Sequence, residues 1–93
     1  VYANDAMAIA GLSYARSRGL RVPEDLSVTG FDDSELSAYL SPGLTSVSTA
    51  ADLRGAATAR TLLAVLAGEA ESSVGLDCTT VVPRDSIMPP ATT

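Results

Sequence analysis

The fold of this chain is decided by the stretch Gly19-Leu20-Arg21-Val22-Pro23-Glu24-Asp25-Leu26-Ser27-Val28-Thr29-Gly30-Phe31-Asp32-Asp33. Gly19 predicts a left-handed helix end, with Leu20 making the hydrophobic contact that accompanies such caps. Pro23 keeps the residue before it out of helical geometry, which makes residues 22–25 a connector. β-branched content and length then predict a strand over 26–31 that ends in two aspartates. A helix end, a connector and a strand in this order are typical of an α/β domain.

A second strand-to-helix unit precedes this stretch. Residues 1–3 are apolar and β-prone, and Asn4-Asp5 offers a helix cap. A helical pattern then continues to Arg18. One face of this helix, which we expect to lie on the core, holds Met7, Ala10, Gly11, Tyr14 and Ala15. Ile9 lies nearly opposite and Leu12 flanks it, which predicts a second apolar patch on the helix.

The rest of the chain again alternates between helices and strands. The pattern predicts a short helix over 34–40, a turn at 41–43, a strand over 44–48, a helix over 51–67, a loop over 69–75 and a strand over 76–82. Strands that alternate with helices indicate crossover units and a parallel sheet. We therefore expect an α/β fold.

The composition excludes several classes of function. The chain has 93 residues, enough for one small domain, and 46% of them are hydrophobic, which suits a globular core. It contains no histidine, and its six basic residues are all arginine, so a histidine base, a Schiff-base lysine and a phosphate-loop lysine are excluded. Cys78 is the single cysteine, which excludes an internal disulfide and a thiolate zinc site; we expect it on a buried strand.

Charge and hydropathy exclude two further classes. The net charge of −5 argues against direct binding to nucleic acid, which needs clustered basic residues. The sequence has no apolar run of the roughly 20 residues that a membrane helix needs, and it does not open with a signal segment. It begins at Val1, within a predicted strand, so we expect it to be part of a longer protein.

Two polar pairs stand where the first two predicted strands end. They are Asn4-Asp5 and Asp32-Asp33, and open α/β sheets bind ligands beyond the carboxyl ends of their strands. Their amide and carboxylate groups can bind hydroxyls or ring nitrogens of a small polar ligand. In the alternative, structural interpretation, Asn4 or Asp5 caps the first helix and Asp33 caps the short second one. A metal-binding or phospho-accepting aspartate pair is disfavoured, because adjacent residues point in different directions and no lysine is present.

Four motifs resemble the lac repressor/galactose repressor family of transcription regulators. They are Tyr2-Ala3-Asn4-Asp5-Ala6-Met7-Ala8, the stretch 19–33, Tyr39-Leu40-Ser41-Pro42-Gly43-Leu44-Thr45-Ser46-Val47 and Arg84-Asp85-Ser86. The resemblance implies a bilobal fold of the periplasmic binding protein type I class, in which a parallel-sheet three-layer sandwich forms each subdomain and the effector binds between the two. This chain would be the last third of that sensor. Residues 1–48 and 76–83 would lie mainly in the C-terminal subdomain, and residues 49–75 would supply a helix that docks on the other subdomain.

The resemblance also implies roles for individual residues. Asn4 and Asp32 match family positions that hydrogen-bond the effector, which is expected to be a sugar or a similar small polar molecule. The subunit interface of a homodimer is expected to include Ile9, Leu12 and Leu40. No cofactor, metal or membrane contact is expected.

Two further expectations follow from the family. The helix-turn-helix that reads DNA lies at the family's N-terminus and outside this sequence, so DNA would be contacted only through that domain, in the cytoplasm. Pro83 stands where the family has an aliphatic strand residue, so the last strand is expected to end at Val82. The alternative function is that of a solute-binding receptor of a transport system, which shares the fold.

Overall fold

The computed structural model describes residues 1–69 and 79–90. Its elements are helix α1 (Asp5–Ser17), a 3-10 helix (Glu35–Ala38), strand β1 (Ser46–Ser48), helix α2 (Ala51–Leu66) and strand β2 (Thr80–Val82). Their order agrees with the predicted one, but the predicted strands over 1–3 and 26–31 are not regular strands. Strand β2 ends immediately before Pro83, as expected. Cys78, the loop beyond position 69 and the first part of the predicted last strand lie outside the described residues.

The end of helix α1 has the predicted geometry. Gly19 has a φ of 75°, in the left-handed region that glycine adopts without strain. Leu20 N donates to Ala15 O at 2.9 Å, and Gly19 N donates to Arg16 O at 3.0 Å. This pair of bonds is a Schellman motif, which satisfies the last carbonyls of the helix and turns the chain into the connector.

An extended segment, residues 28–31, forms the middle of the sheet. Thr29 makes a parallel bridge with Thr45, and residues 2 and 5 donate backbone hydrogen bonds to the segment from its other side. The predicted strand 26–31 is therefore extended backbone that pairs in its second half. The parallel pairing expected from the crossover pattern is found at this bridge.

Strand β2 adds to the sheet in the opposite direction. It pairs with β1 in antiparallel register, with Ser46 opposite Val82 and Ser48 opposite Thr80. This pairing differs from the all-parallel sheet that the alternation of elements predicts. It brings residues 84–86, which follow β2, back to the segments at 28 and 43–45, where they make the contacts described below.

The core lies between α1 and the sheet. Its buried members are Ala8, Val28 and Leu44. Partly buried side chains pack around them: Tyr2, Leu12, Val22 and Leu40. Small residues on α1 let the helix approach the sheet closely, and Gly11 in particular lies against the Tyr2 ring, where an added Cβ would collide with the phenol.

The face of α1 that meets the core matches the predicted one only in part, at Gly11 and Ala15. Asp5, Ala8 and Ala15 are buried, whereas Met7 and Tyr14 are 51% and 66% exposed. The prediction grouped the larger apolar side chains on one face. The observed face follows Asp5 instead, because its carboxylate takes part in a buried hydrogen-bond network that fixes the rotation of the helix.

Helix α2 stands apart from the core. None of its residues is buried, and the exposure of its large aliphatic side chains ranges from 51% to 75%: Leu53, Leu62, Leu63, Val65 and Leu66. The molecule accordingly measures 61 × 26 × 17 Å. Within residues 1–69 and 79–90, no helix is long and apolar enough to cross a membrane.

Candidate functional site

Asn4 and Asp32, the two predicted ligand-binding residues, follow neighbouring extended segments. Asp5 N donates to Phe31 O at 3.0 Å, which places the two polar pairs at the same end of the sheet. Asn4 caps α1, since its Oδ1 accepts from Met7 N at 2.8 Å. This bond uses the amide oxygen and leaves the two amide N–H donors to other partners.

Asp32 lines an open cleft beside the start of α2. The cleft has a volume of about 360 Å³, and its walls are formed by Asp32, Asp33, Ser48, Thr49, Ala50, Ala51, Asp52 and Leu53. Three carboxylates and two hydroxyls in that set are hydrogen-bond acceptors, so the cleft suits a ligand that presents O–H or N–H donors. The described structure brings Asp32 to this cleft, whereas Asn4 does not belong to the lining.

The backbone at Asp32 and Asp33 lies in the left-handed region. Their φ angles are 97° and 50°, which residues other than glycine rarely adopt. Asp32 N donates to Val47 O at 2.9 Å, and Asp33 N donates to Ser46 Oγ at 2.9 Å. These two bonds tie the turn to β1.

The carboxylate of Asp5 is buried next to this turn. It is 2% exposed and accepts hydrogen bonds from Ser34 N at 2.6 Å, Ser37 Oγ at 2.6 Å and Ser46 Oγ at 2.7 Å. Burial raises the pKa of this carboxyl, but the hydrogen bonds from Ser37, Ser46 and Ser34 outweigh burial and hold the pKa below its ordinary value. The ionised carboxylate thus joins α1 to the turn, the 3-10 helix and β1. Gly30 permits this approach, because an added Cβ there would collide with Asp5 Oδ1.

The structure decides between the capping alternatives. Asn4 is the side chain that caps α1, and the prediction that Asp5 could do so is wrong. The prediction that Asp33 caps the short helix is also wrong, because the N-cap residue there is Ser34, without a side-chain cap bond. Asp33 instead forms an ion pair with Arg84, with Oδ1 and Nη2 separated by 2.7 Å. Its partner lies 51 positions along the chain, so no local pattern could have indicated it.

Ser86 completes the set of contacts made by the closing Arg-acidic-Ser motif. Its Oγ donates to Val28 O at 2.6 Å and accepts from Thr45 N at 2.9 Å, and Val28 N donates to Ser86 O at 2.9 Å. Ser86 is fully buried. In the sequence this motif indicates only the family resemblance, whereas in the structure it joins the two parallel segments beside the candidate site.

The predicted interface residues Ile9, Leu12 and Leu40 line a second, larger depression. Its volume is about 1000 Å³, and it runs between α1, the connector at 19–24 and the turn at 39–42. Leu12 and Leu40 also pack partly against the core, so they are less exposed than a separate surface patch would be. The structure brings the three residues together on one concave, largely open surface.

Comparison with known proteins gives a consistent result. Residues 1–87 match the family model described as the periplasmic binding protein-like domain. The transcriptional repressor PurR of Aliivibrio fischeri is 59% identical over 44 residues, which cover 47% of this chain and 13% of that protein. The transcriptional regulator CelR of Thermobifida fusca is 40% identical over 74 residues, 80% of this chain and 22% of that protein.

Solved structures agree with the sequence comparison. A dimeric lac repressor with an 11-residue C-terminal deletion superposes with a TM-score of 0.88 at 34% identity, over 96% of this chain and 33% of that chain. The transcriptional regulator CelR in complex with cellobiose superposes with a TM-score of 0.83 at 39% identity, over 92% of this chain and 27% of that chain. The chain thus spans about a third or less of the length of the proteins that it matches.

Proposed function

Because this chain belongs to the family of periplasmic binding protein-like domains found in LacI-type transcription regulators, we propose that it is the ligand-sensing and dimerising part of such a regulator. It binds a sugar or a similar small polar effector and thereby controls DNA binding by a helix-turn-helix elsewhere in the protein, in the cytoplasm. The matched relatives are transcription regulators, which favours this function over the alternative of a solute-binding receptor for transport, and over an enzyme.

The observation that carries the proposal is the cleft at Asp32. Its carboxylates and hydroxyls accept hydrogen bonds, and its negative charge disfavours an anionic ligand. A neutral sugar offers several O–H donors and carries no charge, so it fits this chemistry. Asp32 then accepts from ligand hydroxyls, and Asn4 donates through its amide nitrogen at the same end of the sheet. The cellobiose bound to CelR, a structural relative, supports this class of ligand.

Helix α2 closes the cleft against a second subdomain in this proposal. Residues 1–48 and 76–83 belong mainly to the C-terminal subdomain, and residues 49–75 carry the helix that docks on the other one. The exposure of every large aliphatic side chain on α2 supports this arrangement, since burying a leucine contributes about 1.5–3 kcal/mol. Effector binding between the subdomains then changes how they sit relative to each other.

The depression lined by Ile9, Leu12 and Leu40 is the proposed dimer interface. Its lining joins apolar side chains of α1 to the turn after the 3-10 helix, and a second protomer related by two-fold symmetry would bury this apolar surface. A related lac repressor is a dimer, which supports the assignment. A two-fold dimer lets two DNA-binding domains reach both halves of a palindromic operator.

Calorimetry on the full-length regulator tests the ligand site. The titrants are neutral mono- and disaccharides, with cellobiose among them. Asp32→Ala should weaken binding about 10- to 150-fold, because hydrogen bonds to a charged group contribute about 1.5–3 kcal/mol. Asp25→Ala is the matched control, since it removes an exposed carboxylate, paired with Arg21, that lies outside the cleft lining. Unchanged affinity in Asp32→Ala removes Asp32 from the site, and a wild-type protein that binds none of these sugars refutes sugar sensing.

A further inference from the structure

We propose that Arg84 is a positioning residue of the effector site, which holds the turn at Asp32 and Asp33 in the conformation that presents Asp32 to the ligand. The assignment rests on the proposed function, because it concerns the same site. Arg84 is not part of the cleft lining, so it acts through Asp33 and not by touching the ligand.

The turn needs to be held by its surroundings. Two consecutive residues other than glycine, Asp32 and Asp33, have positive φ angles of 97° and 50°. Such a conformation persists only where neighbouring groups fix it, and it relaxes when they are removed. Hydrogen bonds from the backbone N–H groups of Asp32, Asp33 and Ser34 hold one side of the turn, with Val47 O, Ser46 Oγ and the Asp5 carboxylate as acceptors.

Arg84 holds the other side of the turn through a side chain. Its Nη2 lies 2.7 Å from Asp33 Oδ1, and its Nη1 donates to Leu44 O at 2.7 Å. Its backbone N donates to Thr45 Oγ1 at 2.8 Å, and its side-chain carbons pack against Gly43. The guanidinium therefore bridges Leu44 O and Asp33, while the backbone N and the side-chain carbons of Arg84 are held by Thr45 and Gly43. A lysine does not reproduce this arrangement, because its donors share one nitrogen, whereas the two contacts are made by Nη1 and Nη2 of the planar guanidinium.

The ion pair also separates the roles of two adjacent carboxylates. Both carboxylates line the cleft, but Asp33 is engaged by the positive charge of Arg84, so Asp32 is the one of the two that accepts from the ligand. Without Arg84, a second uncompensated negative charge would stand beside Asp32. The two adjacent aspartates would then repel each other across a turn that has lost its side-chain anchor.

The burial of Arg84 distinguishes it from an ordinary surface ion pair. The side chains of Arg84 and Asp33 are 18% and 26% exposed, whereas Arg21 in the other ion pair of the described residues is 71% exposed. An exposed ion pair such as Arg21–Asp25 contributes little to stability, because water and salt screen it. Arg21→Met therefore removes the same type of side chain from a screened pair and serves as the matched control.

Hydrogen–deuterium exchange measured by mass spectrometry tests the assignment without any ligand. In the full-length regulator, Arg84→Met should speed exchange in the peptide that contains residues 32–34 about tenfold or more, because the three anchored amides lose a common support. A peptide from α1 should exchange at the wild-type rate, and so should both peptides in Arg21→Met. Arg84→Lys should lie between wild type and Arg84→Met. Adding Asp33→Asn to Arg84→Met should cause no further increase, since both changes break one ion pair.

Calorimetry with cellobiose as the probe supplies the second measurement. Arg84→Met should bind it about tenfold more weakly than wild type, and Arg21→Met should bind it equally well. If cellobiose and the other sugars fail to bind the wild type while exchange responds as expected, the proposed function fails and the anchoring of the turn by Arg84 stands. If Arg84→Met leaves exchange at 32–34 unchanged, or speeds exchange in α1 by the same factor, the assignment of Arg84 is overturned.

Discussion

Replacing Asp5 with asparagine removes the charge at the centre of the buried network and should lower the free energy of unfolding. The carboxylate accepts three hydrogen bonds, at 2.6, 2.6 and 2.7 Å, and is 2% exposed. Asparagine has the same shape but only one acceptor oxygen. Placed toward Ser34 and Ser37, that oxygen keeps two bonds, while the new N–H₂ group faces the Ser46 hydroxyl. Ser46 then has to reverse its hydrogen bond while it still accepts from Asp33 N.

The magnitude follows from the loss of charge assistance. Hydrogen bonds to a charged group contribute about 1.5–3 kcal/mol each, and neutral ones about 0.5–1.5 kcal/mol. Replacing three charged hydrogen bonds by neutral ones therefore lowers the unfolding free energy by about 2–4 kcal/mol. This figure is a net one, because asparagine avoids the cost of burying a charge, which offsets part of the loss. A decrease of this size is a large fraction of the about 5–15 kcal/mol that stabilises a typical domain.

Urea unfolding followed by circular dichroism measures this change. Asp25→Asn is the control, because it makes the same chemical change at an exposed carboxylate in the Arg21 pair and should leave the midpoint unchanged. The m-value should stay constant, so that the shift in midpoint reports stability alone. If Asp5→Asn unfolds at the same urea concentration as Asp25→Asn, the network at Asp5 does not stabilise the fold.

Three further predictions concern pH and assembly. The higher unfolding free energy of wild type over Asp5→Asn should disappear as the pH falls below about 4. The folded-state pKa of Asp5 is depressed, so its carboxylate stabilises the fold above the ordinary carboxyl pKa of 3.8, and this stability is lost as the carboxylate protonates. Urea unfolding at several pH values measures the difference. Ile9→Asp should convert the full-length regulator to a monomer in sedimentation; a dimer would place the interface elsewhere. The 93-residue chain by itself should form a dimer or larger oligomer in light scattering at micromolar concentration, because α2 leaves four leucines more than half exposed. A monomer with α2 docked on its own sheet would contradict the last prediction.

Local signals in the sequence were sufficient for three boundaries between elements. Gly19 ends α1 because a left-handed residue there costs glycine nothing, and Pro23 begins the connector because of its ring. Pro83 ends β2 because it has no N–H for a ladder. These effects act within a few residues of chain, so they can be predicted without knowledge of the fold. Four motifs in the right order likewise identified the family, since their spacing is itself a property of the sequence.

The tertiary structure alone decided which polar side chains hold the site. Asn4 and Asp5 are adjacent, and either side chain is of a type that caps helices. The donors at 34, 37 and 46 bind the Asp5 carboxylate in the interior, so Asn4 caps α1. Those donors lie 29 to 41 positions away, and Arg84 lies 51 positions from Asp33. The buried face of α1 holds Asp5 together with Ala8 and Ala15, and not the larger side chains of Met7 and Tyr14. A buried carboxylate must be matched by hydrogen-bond donors wherever the fold supplies them, and the sequence does not record which distant segments the fold brings together.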